Sequence, residues 1–227
     1  MIRSPREPQL LLALAFAAGS IDALSYLGLG RVFTANMTGN TVLLGVAVAT
    51  GTSADTLRAV AALGGFVLGG AVGILLIARR RGSWYRLTWP VFGLETAALV
   101  ALLVIWQAVG VSPVRYLLIV LAGAGMGAQS AATRASKVPG VNTTYMTSTL
   151  LNAVARFVLR DRQVRKQAED SHLPAAAWAI YGAGALAGAA AVDSWHGAAV
   201  AIPLAIVAAV SGWVVRSRAS VSAPQRG

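Results

Sequence analysis

The stretch Phe33–Thr41, FTANMTGNT, carries hydroxyl or amide side chains at five of its nine positions. It lies between two of the most apolar runs in the chain, Leu10–Gly30 and Val42–Ala49. Such a segment is either a loop between two membrane crossings or a dip that enters the bilayer and leaves on the same side. The choice sets the number of crossings and therefore the fold. Irregular backbone at membrane depth persists only where protein or a watery cavity shields it. Thr and Asn side chains can then satisfy backbone groups that no regular helix satisfies.

The surroundings establish that a membrane is involved. The chain has 227 residues, 56% of them hydrophobic and 12% charged, against about 25% charged in soluble domains. The net charge of +11, from 19 basic and 8 acidic residues, falls in short clusters between apolar runs, as in the cytoplasmic loops of membrane proteins. No solvated basic surface is left to track phosphates, which excludes nucleic acid as a partner. There are no cysteines, and the two histidines, His172 and His196, stand apart, so no metal or thiolate cofactor site is expected. No nucleotide loop or nucleophile–base set appears, and the chain does not read as an enzyme.

Apolar segments of spanning length cover 9–29, 58–78, 90–110, 114–133, 174–192 and 197–215, each close to the roughly 20 residues a crossing requires. Arg3 and Arg6 ahead of the first run imitate a signal peptide. The run continues to Leu29, however, and reads as an uncleaved first helix. Segments 33–50 and 141–158 begin polar and become helix-like only later. Basic clusters sit at the N-terminus, at Arg79–Arg86, at Arg156–Lys166 and at Arg216–Arg226. Eight crossings would put the 79–86 cluster outside; six put every cluster inside, in line with the positive-inside rule. Six are therefore expected, with both termini cytoplasmic and with 33–50 and 141–158 re-entrant.

The two dips repeat. Aligning Met37 with Met146 also pairs Thr34 with Thr143 and Thr38 with Thr147, and GSIDA (Gly19–Ala23) resembles GAQSA (Gly127–Ala131) in character. The expected architecture is an all-α integral membrane protein of about six transmembrane helices. Residues 1–227 form one membrane domain of two inverted repeats, 9–110 and 114–215, and 216–227 form a disordered tail. An inverted repeat with a binding site near the midplane is a recurring transporter design. Each dip is expected to turn at Gly39 or Ser148 and to leave as a short helix, Thr41–Ala49 or Thr149–Phe157. The helix N-termini would then offer unpaired N–H groups near the midplane, as aquaporin half-helices do by analogy of architecture.

The segment GSIDALSYLGLGRVFTANMTGNTVLLG (Gly19–Gly45), with GAQSAATR (Gly127–Arg134) and TTYMTSTL (Thr143–Leu150), resembles the YoaK family of multi-pass bacterial membrane proteins, a family of unknown function. The resemblance covers essentially the whole chain, and MTGN with the upstream GxxDA is its most specific part. It implies a bacterial cytoplasmic membrane protein and supplies no substrate.

Candidate solute-pathway residues are Asp22, Thr34, Asn36, Thr38, Gly39, Asn40, Thr41 and Gln129 in one group, and Thr143, Thr144, Tyr145, Thr147 and Thr149 in the other. A charge at the depth of Asp22 costs at least about 2.5–3.5 kcal/mol and usually serves function. The alternative is a hydrogen-bonded brace for the neighbouring dip, with Asn36, Thr38 or Asn40 as partners. Glu95, one turn or so after Pro90, is expected to reach water or pair with Arg86. Arg134 is expected to snorkel to the interface. Gly65, Gly69 and Gly73, with Gly123, Gly127, Gly184 and Gly188, form helix-packing ridges; their other use would be self-association into a homo-oligomer. The partners implied are the lipid bilayer and a small polar solute, neutral or anionic, moving through a channel or secondary transporter. The rival class is a non-transporting membrane scaffold or sensor.

Overall fold

A computed structural model describes residues 6–136 and 173–220. The elements are α1 (Glu7–Leu24), continued by a π-helical turn Ser25–Gly30, then α2 (Met37–Ala49), α3 (Ser53–Ala78), α4 (Trp84–Val109) and α5 (Arg115–Arg134). After the undescribed stretch come α6 (Leu173–Trp195), a 3₁₀ turn His196–Val200, and α7 (Ala201–Ser220). Five apolar helical stretches are long enough to cross a membrane, and the last, 46 residues from Leu173 to Arg218, contains both α6 and α7. As one straight helix it would measure about 69 Å, more than twice the hydrocarbon core. The left-handed φ of 51° at His196 breaks it into two.

Glycine contacts fix the directions. A Cβ on Gly184 would strike the carbonyl of Phe16, and one on Gly188 that of Ser20, so α6 runs parallel to α1. Likewise Gly65 meets Val120, Gly69 meets Ala124 and Gly73 meets Ala128, so α3 runs parallel to α5. Trp84 Nε1–H donates to the Ala132 carbonyl (2.9 Å) while Gly125 lies beside Glu95 and Ala98. α4 is therefore antiparallel to α5. Gly197 abuts Trp106, and the Arg218 guanidinium lies 4.3 Å from the Trp89 ring, so α7 descends along α4. From the face bearing the N-terminus, α1, α4 and α6 run away, and α3, α5 and α7 return. Six long helices alternate in this way, as the charge pattern requires.

All the expected packing glycines do this work inside the chain: Gly123 lies against Ala62 and Phe66, and Gly127 against Phe66 and Gly70. Such close approach suits helices that have no hydrophobic drive to associate within lipid. α1 and α5 are the inner helices. α3 buries only Ala59, Ala62, Gly65, Gly69 and Gly73, and turns Val60, Val67, Leu68 and Leu75 outward as lipid-facing surface. At the N-terminal face Arg6 stacks on Trp213, and both Arg80 and Arg218 stack on Trp89, an interfacial arrangement of amphipathic rings and cations.

Three boundaries differ from the sequence reading. α4 starts at Trp84, and Pro90 lies inside it. Transmembrane helices tolerate the lost hydrogen bond because their neighbours re-satisfy the backbone. α3 starts at Ser53, which brings Arg58 into its second turn beside Asp55 (2.6 Å). α7 continues through Ser220, so the first part of the expected tail is helical. The second dip, 141–158, lies outside the described residues.

Candidate functional site

The first dip is built by a sharp reversal. Past Gly30 (φ 110°) and Arg31 (φ 61°), both left-handed, the chain turns back along the helix it has just left. Tyr26 and Phe33 stack across the reversal with centroids 5.2 Å apart. Ser25 and Thr34 share a hydroxyl–hydroxyl bond of 3.1 Å. Residues 31–36 thus return to the level of Asp22, eight residues below Gly30, or about 12 Å at helical rise. From there α2 climbs out again to the Thr50–Thr52 turn. Its 13 residues span about 20 Å, more than half but less than all of a bilayer core. The segment enters and leaves on one side, as the charge pattern predicts.

Asp22 anchors the base of the dip. Its Oδ1 accepts the N–H groups of Thr34 (2.7 Å) and Ala35 (2.6 Å), and its Oδ2 accepts that of Asn36 (3.0 Å) and the hydroxyl of Tyr181 on α6. A carboxylate at 3% exposure is affordable only with such partners, and four donors supply them. Of the two roles weighed for Asp22, the geometry is that of the brace. The partners are backbone N–H groups and a tyrosine, in place of the expected Asn36, Thr38 or Asn40 side chains. Tyr181 carries no motif and lies 159 positions away; only the three-dimensional packing reveals it.

Asn40 closes the loop from the other side. Its Oδ1 accepts the Phe33 N–H (2.9 Å) and its Nδ2 donates to the Phe33 carbonyl, so one amide satisfies both backbone groups of one residue. Asn36 caps α2 by accepting the Gly39 N–H (3.3 Å), the usual task of an N-cap side chain. Gly39 is therefore in the first turn of α2, which begins four residues before the expected Thr41. Thr41 donates its hydroxyl to the Met37 carbonyl (3.0 Å). Thr38 is exposed. The α2 N-terminus is thus already supplied with an internal anion, Asp22, and an internal cap, Asn36.

Gln129, buried on α5, donates its amide to the Leu14 carbonyl on α1 (3.2 Å) and ties the two inner helices together. Thr143, Thr144, Tyr145, Thr147 and Thr149 lie outside the described residues. Glu95 differs most from its expected setting. Because α4 starts at Trp84, Glu95 is near the middle of the helix and fully buried, and among the described residues neither carboxyl oxygen has a hydrogen-bond partner. Arg86 is nine residues away, about 13 Å along the axis, and does not pair with it. Among the described residues no three or more metal-ligating side chains cluster.

The comparisons with known proteins agree that this is a membrane protein. The chain is 30% identical over 206 residues to the UPF0700 transmembrane protein YoaK of Bacillus subtilis (strain 168), covering 87% of this chain and 89% of that protein. No solved structure matches. The family described as "Protein of unknown function (DUF1275)" matches residues 10–213; this multi-pass membrane protein belongs to that family.

Proposed function

We propose that the protein passes a small, polar, neutral solute across a bacterial cytoplasmic membrane, as a channel or secondary transporter with both termini cytoplasmic. The observation that carries this reading is the polar non-helical segment 31–36, held below the end of its own helix by Asp22 and Tyr181. Unwound backbone at such depth is characteristic of solute sites. The Asp22 carboxylate already stands at the N-terminal end of α2, bonded to the N–H of its N-cap Asn36, which favours a neutral solute. Asp22, Thr34, Asn40 and Gln129 form the frame. Asn36, Thr38 and Thr41 are the solute-facing groups.

In the same reading the halves 9–110 and 114–215 are inverted copies. Corresponding contacts support this. Gly19 on α1 lies against Tyr181 and Ala185 of α6, as Gly127 on α5 lies against Phe66 and Gly70 of α3. Gly184 meets Phe16 as Gly69 meets Ala124, and Gly188 meets Ser20 as Gly73 meets Ala128. α1 and α5 run in opposite directions, as inversion demands.

Stopped-flow swelling of proteoliposomes tests the proposal, with urea and glycerol as probes. Swelling several-fold faster than in empty liposomes, reduced by Thr38→Val without loss of thermal stability, is the expected result. Swelling indistinguishable from empty liposomes for both probes would favour the scaffold reading, to which the complete internal engagement of Asp22 also lends support.

A further inference from the structure

Glu95 is a full carboxyl group in the interior of the bundle, with no exposure and, among the described residues, with no hydrogen-bond partner for either oxygen. Its Cγ lies 3.8 Å from where a Cβ on Gly125 would stand, so the side chain packs against α5. Packing alone would be served by Leu or Met at this position. A carboxyl there costs free energy that no hydrogen bond among the described residues offsets.

The register of the helices gives its depth. Gln129 on α5 is level with Leu14 on α1, to whose carbonyl it donates. Gly125, one turn from Gln129, is level with Glu95. Asp22 is two turns beyond Leu14. Glu95 therefore stands about 6 Å in depth from Gln129 and about 6 Å from Asp22, between the polar group nearer the N-terminal face and the base of the re-entrant loop.

The two carboxyls have opposite surroundings. Asp22 receives three N–H groups and one O–H, donors that suit an anion. Glu95 receives none, and uncharged neighbours suit only the acid form. Arg58 and Asp55 on α3, Arg79 and Arg80 at its end, Arg115, Tyr116 and Arg134 on α5, His196 in the 3₁₀ turn, Arg216 and Arg218 on α7, and Tyr85 and Arg86 on α4 itself are the described charged and titratable groups around Glu95. All lie near helix ends, and none reaches a Glu95 oxygen. The lack of a His or further carboxylate cluster among the described residues leaves a metal cation without ligands there.

We infer that Glu95 is a proton-binding site: its carboxyl holds a proton in the closed bundle and, on giving it to water, is left as a carboxylate to be reloaded. This goes beyond the solute reading and does not depend on it. Infrared difference spectroscopy of the full-length protein in lipid provides the test. The wild type should show a protonated-carboxyl C=O band that shifts on exchange into D₂O within minutes and is lost reversibly at alkaline pH. The band should vanish entirely in Glu95→Gln and persist in Asp55→Asn, a change at an exposed carboxylate outside the bundle interior.

A second measurement needs no variant. Dicyclohexylcarbodiimide adds to a protonated carboxyl, the acid O–H adding across one C=N bond, and peptide mass spectrometry should locate the adduct on Glu95. Absence of both the band and the adduct, or a band that neither exchanges nor titrates, would overturn the inference. Failure of the swelling assay would leave this result standing, and the reverse also holds.

Discussion

Tyr181 on α6 donates its hydroxyl to Asp22 on α1, so a helix from the second half of the chain holds the carboxylate that anchors the loop of the first. The same carboxylate binds three successive backbone N–H groups. One side chain therefore couples the position of the dip to the packing of α6.

Removing that carboxylate should be severe. Asp22→Asn turns an amide N–H₂ toward groups that are themselves donors, leaving at least one buried N–H without an acceptor. A loss of about 3 kcal/mol or more is expected, read as a clear fall in thermal stability in detergent. It should be accompanied by faster alkylation of a cysteine placed at Ala35.

Tyr181→Phe removes one hydrogen bond to a charged group and leaves the three N–H bonds in place. The expected cost is about 1.5–3 kcal/mol, below that of Asp22→Asn. In the double variant the two costs should not add, since both act through one carboxylate. Additive melting shifts would show that Tyr181 acts elsewhere.

Asn40 is chosen for its two-faced amide. Asn40→Asp can still accept from Phe33 N–H but turns an oxygen toward the Phe33 carbonyl. It should therefore destabilise at least as much as Asn40→Ala, by about 1–3 kcal/mol for each buried group left unpaired. Denaturation midpoints of the two variants compare them directly.

Two glycines on α3 separate packing from propensity. A Cβ on Gly69 would collide with the Ala124 backbone, whereas one on Gly64 meets nothing within 4 Å. Gly69→Ala should therefore sharply lower the yield of monodisperse protein, and Gly64→Ala should leave it unchanged or raise stability by up to about 1 kcal/mol. Size-exclusion profiles after heating distinguish the two.

The natural chain has no cysteine, so single cysteines report sidedness without background. Ala54→Cys and Arg81→Cys, both at exposed positions, should label from opposite sides in intact cells, with Arg81→Cys protected from an impermeant reagent. Labelling of both from outside would exclude a single crossing by α3.

The crossings were legible because lipid demands long apolar runs, and arginine placement then chose six over eight. The re-entrant character of 33–50 was legible for the same reason. Pro90 misled the reading: it resembles a helix start, but a membrane helix can absorb it, and the resulting shift moved Glu95 from an apparent helix end to the bundle centre. Asp22 could be identified by depth alone. Its partners could not, because backbone N–H groups carry no residue identity and Tyr181 is an unremarkable aromatic in an Ala/Gly-rich helix.

α1 finds its closest neighbour in α6, and α3 finds its own in α5, so each half of the polypeptide wraps around the other. A ribosome that has released only the first half leaves bare glycine grooves waiting in the bilayer. Expressed as two fragments cut near Gly110, neither piece should persist alone, while the two made together should reassemble.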